Sequence, residues 1–397
     1  MRQTAIPKAI VGTWPASTDA AIYRLLQLAA CIDLPPERCC ELVAQAQALT
    51  GWEEVAARAE EHGLSPLLYF HLTRAETEIP RQARRELAGL SLRHRHANEV
   101  RTRILGEILA LWQAAGMDSR VLKGAALAHI LYPEPGLRPM SDLDLLVDAA
   151  DARRAHGLLG EAGFRTLPGK EEPLPRDHLR AVRTVDGLQV TVEVHPRLHF
   201  PRAAFQMTID RLPPYPFTPG ADAPPAHTLR PQEMLLHLCH HLVEHINVAS
   251  GHRLLWMADV VGLAERFAAE IDWQQVRAAH PVVLNVLAML HFTLPLSPSL
   301  RERAGIGDAP PPRGIGQDFT GWPHASIAAQ RAAGKGYGRI LCDTFFPPEW
   351  WLRLHYGLHP RQALWSYRWL RHPLEIAGWA AQNLAGRAGL AFENPLR

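Results

Sequence analysis

Apolar residues recur at spacings of three and four from about Ala20 to Trp112, the signature of amphipathic helices. Val100, Ile104, Ile108 and Leu111 fall on one face of a helix, and Leu64, Leu67, Leu68 and Leu72 repeat the pattern after a break at Gly63. Proline and glycine are sparse inside these runs and sit between them, at Pro35-Pro36, Gly51, Gly63 and Pro80. The pattern predicts a helical N-terminal region over 1–115.

After Gly116 the period shortens. Arg120-Val-Leu-Lys123 reads as a short strand broken at Gly124, and the alanine-rich run to Leu131 reads as a helix stopped by Tyr132-Pro-Glu-Pro-Gly136. Asp142-Leu-Asp-Leu-Leu-Val147 alternates acid and apolar and then turns wholly apolar, as a strand entering a core does. Ala152 to Gly163 is amphipathic with helical period, and Gly187 to His195 alternates as a strand. Strand, helix, strand, helix and strand in succession predict a small α/β domain over 116–226. Its last stretch, Leu212 to Ala226, carries six prolines and reads as a linker or ordered loop without regular structure. Helical pattern returns over 227–397, from Pro231 to Val248, Leu254 to Phe267 and Trp273 to Leu294, with a break or kink expected at Pro281 and a Pro/Gly-rich break from Asp308 to Gly316. The whole predicts an α+β protein, a small mixed-sheet domain set between two helical regions.

Composition narrows the class. The chain has 397 residues, 47% of them hydrophobic and 21% charged, with a formal charge of +2, so no global field calls for a nucleic acid. Its five cysteines show no Cys-x-x-Cys spacing, which argues against a secreted disulfide scaffold and against a structural zinc site built on cysteine. The first residues lack the apolar run of a signal peptide, and no stretch approaches the ~20 apolar residues that span a bilayer. A cytoplasmic location is expected.

The candidate chemistry begins with Asp142 and Asp144. Two residues apart on a strand, their carboxylates face one side while Leu143 and Leu145 face the core. Carboxylates forced together repel unless a cation neutralises them, and magnesium or manganese with oxygen ligands does so. Glu193, on the alternating strand, can lie alongside as third acid, completing the metal site or acting as general base. Upstream, a strand running through Gly124 into a helix exposes backbone N–H groups suited to phosphate, with Ala125 following and Lys123 supplying charge. Arg138, in the loop ahead of the acids, can fork onto phosphate oxygens, and Ser141 precedes them directly.

Two histidine features stand beside the acids. His195 projects to the side of Glu193 and can hydrogen-bond a metal carboxylate or orient an acceptor. His237, His241 and His245 recur every four residues on one helix face. They either line the pocket, with His241 and His245 touching phosphate or substrate, or pack the helix onto the α/β domain. The order His241-Leu-Val-Glu-His245, with Asp259 as an oxygen donor, also admits a zinc-hydrolase reading. The tryptophans and arginines of the tail suit either helix packing or a peripheral membrane contact.

The run Leu122-Lys-Gly-Ala-Ala-Leu127, then Tyr132-Pro, then Gly136-Leu-Arg-Pro-Met-Ser-Asp-Leu-Asp-Leu-Leu-Val147 resembles the uncharacterised nucleotidyltransferase family of the polymerase-beta-type superfamily. The likeness extends from about Trp52 to Tyr356. It implies Asp142, Asp144 and Glu193 as the metal-binding trio, a nucleoside triphosphate as donor, and release of pyrophosphate on transfer to a hydroxyl or phosphate acceptor. A small molecule, sugar or peptide fits that acceptor better than nucleic acid. Ala125 stands where the wider superfamily has a serine, which passes phosphate contact to Lys123 and the backbone. A non-catalytic nucleotide-binding adaptor on the same fold is the other class the sequence admits.

Overall fold

In the computed structural model the described residues are 16–166, 179–198, 207–220, 223–247, 253–307, 323, 327–332, 334–359 and 361–387. The expected break at Asp308–Gly316 lies outside them. Among the described residues, the first elements are five α-helices: α1 (Ala16–Ala29), α2 (Pro36–Ala48), α3 (Val55–Glu61), α4 (Ser65–Arg74) and the long α5 (Arg81–Ala114). Val100, Ile104 and Ile108 of α5 are all buried, as their spacing requires. Truncating a fully buried isoleucine such as Ile104 to alanine costs about 2–5 kcal/mol, so this face alone fixes α5 against its neighbours.

The α/β segment contains β1 (Ser119–Val121), α6 (Lys123–Ile130), β2 (Asp142–Val147), α7 (Ala152–Glu161), β3 (Arg165–Thr166), β4 (Leu179–Val185), β5 (Leu188–His195), β6 (Pro214–Phe217) and β7 (Ala226–Leu229). The strands form one mixed sheet in the order β3-β4-β5-β2-β1-β7-β6. β2 runs parallel to β5 and antiparallel to β1, which in turn runs parallel to β7. The protein is therefore α+β, a seven-stranded mixed sheet flanked by helices.

One expectation is corrected. The proline-rich stretch after Leu212 is not wholly irregular, because Pro214–Phe217 is a strand paired with β7. Pro214 and Pro216 are two residues apart, so both missing N–H groups fall on the same side of the strand. β6 ends the sheet and leaves one side without a partner, and an edge strand tolerates proline there.

The C-terminal helices are α8 (Pro231–Asn247), α9 (Leu254–Arg266), α10 (Trp273–Ala279), α11 (Pro281–Thr293), α12 (Pro298–Ala304), α13 (Ile327–Ala332), α14 (Tyr337–Phe345), α15 (Glu349–Tyr356) and α16 (His372–Arg387). Pro281 breaks the helical run as expected, and α10 and α11 meet at 105°. No single described helix is long and apolar enough to cross a membrane. A continuous core joins the three regions, from Ile22 of α1 through Leu145 of β2 to Leu354 of α15. In the tail, Trp365, Trp369, Leu370, Leu374 and Trp379 are at least half exposed.

Candidate active site

The sheet register brings the acids together. β2 and β5 pair in parallel with Asp142 opposite Thr191 and Asp144 opposite Glu193. Residues opposite each other in a ladder present side chains to the same face, so the two buried or half-buried carboxylates lie side by side. His195, two residues further along β5, reaches the same face, and its Nε2 lies 2.8 Å from Asp144 Oδ1. Ligand atoms of Asp144, Glu193 and His195 all fall within 4.8 Å of one another. Asp142 stands on the same strand two residues before Asp144, outside that group, and takes a hydrogen bond from Ser141.

Lys123 closes the site from the neighbouring element. The Leu122 N–H donates to the backbone oxygen of Asp144 at 2.9 Å, which ends β1 against β2. Lys123 then takes a left-handed φ of 45° as α6 begins. A non-glycine residue held there costs on the order of 1–3 kcal/mol. Its Nζ donates to Asp144 Oδ1 at 2.9 Å, so lysine and histidine converge on one carboxylate oxygen. Gly124 follows because a Cβ at that position would collide with the Arg138 guanidinium. Ala125 behind it is buried.

The electrostatics divide the three acids. Burial alone would raise the pKa of Asp144, but Lys123 and His195 outweigh it and hold this carboxyl well below its ordinary value. Asp142 is raised by burial and by the charge of Asp144. Glu193 is raised by burial and by both aspartates, with Arg180 Nε 3.1 Å from its Oε1. Burial opposes the charge on Lys123 too, but Asp144 keeps its pKa above the ordinary lysine value. Two of three clustered carboxylates thus hold protons more tightly than free acids, a donor set that suits a divalent cation.

The profile of the uncharacterised nucleotidyltransferase family matches residues 49–300, more than half of the chain. The chain belongs to that family. It is accordingly a transferase of the nucleotidyltransferase class. No curated protein and no solved structure matches the chain. The family match runs from α3 to the first residues of α12 and includes every strand of the sheet.

Other expected site residues are placed differently. Arg138 is buried and forms an ion pair with Asp259 of α9, Nη2 to Oδ2 at 2.6 Å and Nε to Oδ1 at 3.0 Å. The Tyr132 hydroxyl donates to the same Asp259 Oδ1 at 2.7 Å. Arg138 therefore roofs Gly124 and ties the loop before β2 to the C-terminal helices. On α8, the His241 and His245 rings pack against each other in a tilted pair with centroids 4.2 Å apart, and both pack on Trp256 of α9. Burial, then the charge of Lys123, lowers the pKa of His237, His241 and His245, which places the ridge within electrostatic range of the acids. Among the described residues, none of these three histidines belongs to a group of three metal-ligating atoms, and Asp259 is engaged by Arg138. The zinc-hydrolase reading gains nothing from this arrangement.

Sequence reasoning missed Arg101. It lies on α5, is 7% exposed, and feels the charge of Asp142. Its Nε and Nη1 are buried and make no hydrogen bond. A buried guanidinium left so is costly and marks a place where an anion would be stabilised. No local sequence signal identifies it, since an arginine among the apolar residues of a helix reads as a solvated or snorkelling side chain.

Proposed function

We propose that this transferase moves a nucleoside monophosphate from a nucleoside triphosphate to a hydroxyl or phosphate acceptor, releasing pyrophosphate and depending on magnesium or manganese. The observation that carries the reading is the register of β2 and β5, which sets Asp144 beside Glu193, together with Lys123 on the Asp144 carboxylate. Asp142 and Asp144 would hold the cation, with Glu193 as a third ligand or as the general base. When bound, that cation neutralises charge on the donor phosphates and on the leaving pyrophosphate.

The chain's own groups supply the rest. Lys123 and the first N–H groups of α6 orient donor phosphates, with Gly124 and Ala125 keeping the backbone open to them. Arg101 adds positive charge next to Asp142. Glu193, whose proton affinity is raised, takes the proton from an acceptor hydroxyl as the hydroxyl oxygen attacks the α-phosphorus. His195 holds Asp144 in place through its Nε2 contact. His241 and His245, which feel the charges of Lys123 and Asp144, would contact the bound donor or acceptor. Arg138 acts on the phosphates indirectly, by fixing the Gly124 turn. A sugar, peptide or other small molecule is the acceptor class, and the exposed tryptophans of the tail are where a peripheral membrane contact would form.

The test is a screen of labelled nucleoside triphosphates with magnesium or manganese, comparing wild type with Asp142→Asn/Asp144→Asn. Metal-dependent pyrophosphate release is expected from wild type and not from the double variant. Release that survives the double substitution sinks the reading. Nucleotide binding without turnover in wild type, across the acceptor classes named, favours the adaptor alternative.

A further inference from the structure

A second cluster of metal-ligating side chains lies beyond the end of the family match, among α14, α15 and α16. Ligand atoms of His355, His372 and Glu375 fall within 4.8 Å of one another. Both histidines are buried and Glu375 is half-buried. His372 and Glu375 are three residues apart at the start of α16 and share one face. A π-helical turn, Tyr367–Arg371, delivers His372 into the cluster, a local widening that is common at functional sites. The His355 ring is held by stacking on Trp351, with centroids 4.1 Å apart and planes within 21°.

The hydrogen bonds here are short of protons. His372 Nε2 lies 3.0 Å from the carbonyl oxygen of Thr344, which can only accept, so Nε2 carries the imidazole proton. In the neutral ring Nδ1 is then a lone pair, and it faces the Tyr356 hydroxyl at 2.9 Å. The same hydroxyl lies 2.9 Å from Glu375 Oε2, another acceptor. Tyr356 has one proton to give and two acceptors to serve. Either a second proton or a cation must settle the contact. A proton on Nδ1 would place an imidazolium on a residue only 1% exposed, and a proton on Glu375 would neutralise a carboxylate that Arg371 pairs with. A metal ion uses all three donors at once. The Thr344 contact is the outer partner that ligating histidines usually have, a carbonyl that fixes the tautomer and aims the other nitrogen at the metal.

We infer that His355, His372 and Glu375 form a structural zinc site that fastens α14, α15 and α16 together, separate from the acids on β2 and β5. Two imidazoles and a carboxylate suit zinc, and Tyr356 Oη, already against both His372 and Glu375, is the nearest fourth donor. Bonds of ~2.1 Å to each ligand bridge most of the observed span. Glu375 Oε1 is engaged by Arg371 at 3.0 Å, which leaves Oε2 to serve as the single ligand oxygen.

The test uses the full chain, stripped with a chelator and retitrated with zinc or cobalt(II). Wild type is expected to retain about one equivalent of zinc and to melt lower after stripping. Cobalt should give the intense visible bands of a four-coordinate ion. His355→Gln and Glu375→Gln should each weaken zinc binding by at least about ten-fold, whereas Asp142→Asn/Asp144→Asn should leave it unchanged. The Gln variants keep the side-chain volume, so they serve where His372→Ala fails to fold. No zinc on wild type, or equal zinc on wild type and the Gln variants, overturns the proposal and leaves a protonated His372 as the resolution.

Discussion

Arg138 and Asp259 form a bidentate ion pair across 121 positions of the chain, with neither side chain more than 7% exposed. The pair joins the loop before β2 to α9, so the acid-bearing strand and the C-terminal helices are clamped by charge as well as by apolar contact. Burial opposes the charge on Arg138, and Asp259 more than compensates.

Removing one partner strands the other. Asp259→Ala is expected to destabilise the fold by about 3–5 kcal/mol, because the Arg138 guanidinium stays buried without its carboxylate. The double variant Arg138→Met/Asp259→Leu should recover much of that loss. Urea denaturation of the single and double variants gives the coupling directly, and additive losses would show that the pair is not the clamp described.

Arg101 should reveal a trade between stability and ligand binding. Arg101→Met replaces a buried charge with an apolar side chain of similar length, so stability should rise by on the order of 1 kcal/mol. Affinity for the triphosphate donor should fall by about ten-fold, or about 1.4 kcal/mol. Thermal melting and nucleotide titration on the same sample check both. A variant that is less stable and binds nucleotide unchanged would make Arg101 a packing residue.

His71 predicts an acid-side loss of stability. It is 2% exposed, its Nε2 sits 2.9 Å from the Cys31 carbonyl oxygen, and burial lowers its pKa from 6.5 to about 4. The unfolded chain therefore takes up a proton near 6.5 that the folded chain refuses until about 4. The contribution is fully present above the unfolded value, declines as pH falls through that window, and levels off below it. Its full size is about 3 kcal/mol by linkage. Urea midpoints measured from pH 7 to pH 4 should show a shallower acid slope for His71→Gln than for wild type.

Much of the site was legible in the sequence because it rests on short-range geometry. The alternation at Asp142 and Asp144 gives the common face, and the strand ending in Val192-Glu-Val-His195 gives its neighbour. Pairing Asp144 with Glu193 required only that two apolar strands lie side by side. The Arg138–Asp259 pair was hidden, since no local pattern links residues so distant, and Arg138 read as a phosphate ligand for want of its partner. β3, β4 and β7 were not read as strands, while β6 was masked by its prolines and legible only once its edge position was known. Arg101 was illegible for the opposite reason, as helical period says where a side chain points but not whether a partner awaits it.

The convergence of Lys123 and His195 on a single oxygen of Asp144 has a consequence for selectivity. Any cation reaching that carboxylate meets a position already occupied by the protein's own charge, so binding is an exchange of partners rather than a simple capture. A singly charged ion such as potassium offers no more charge than the ammonium it would displace, whereas a divalent ion does. At the proposed metal site, Lys123 would thus act as an internal competitor that a divalent ion displaces more readily than a monovalent one.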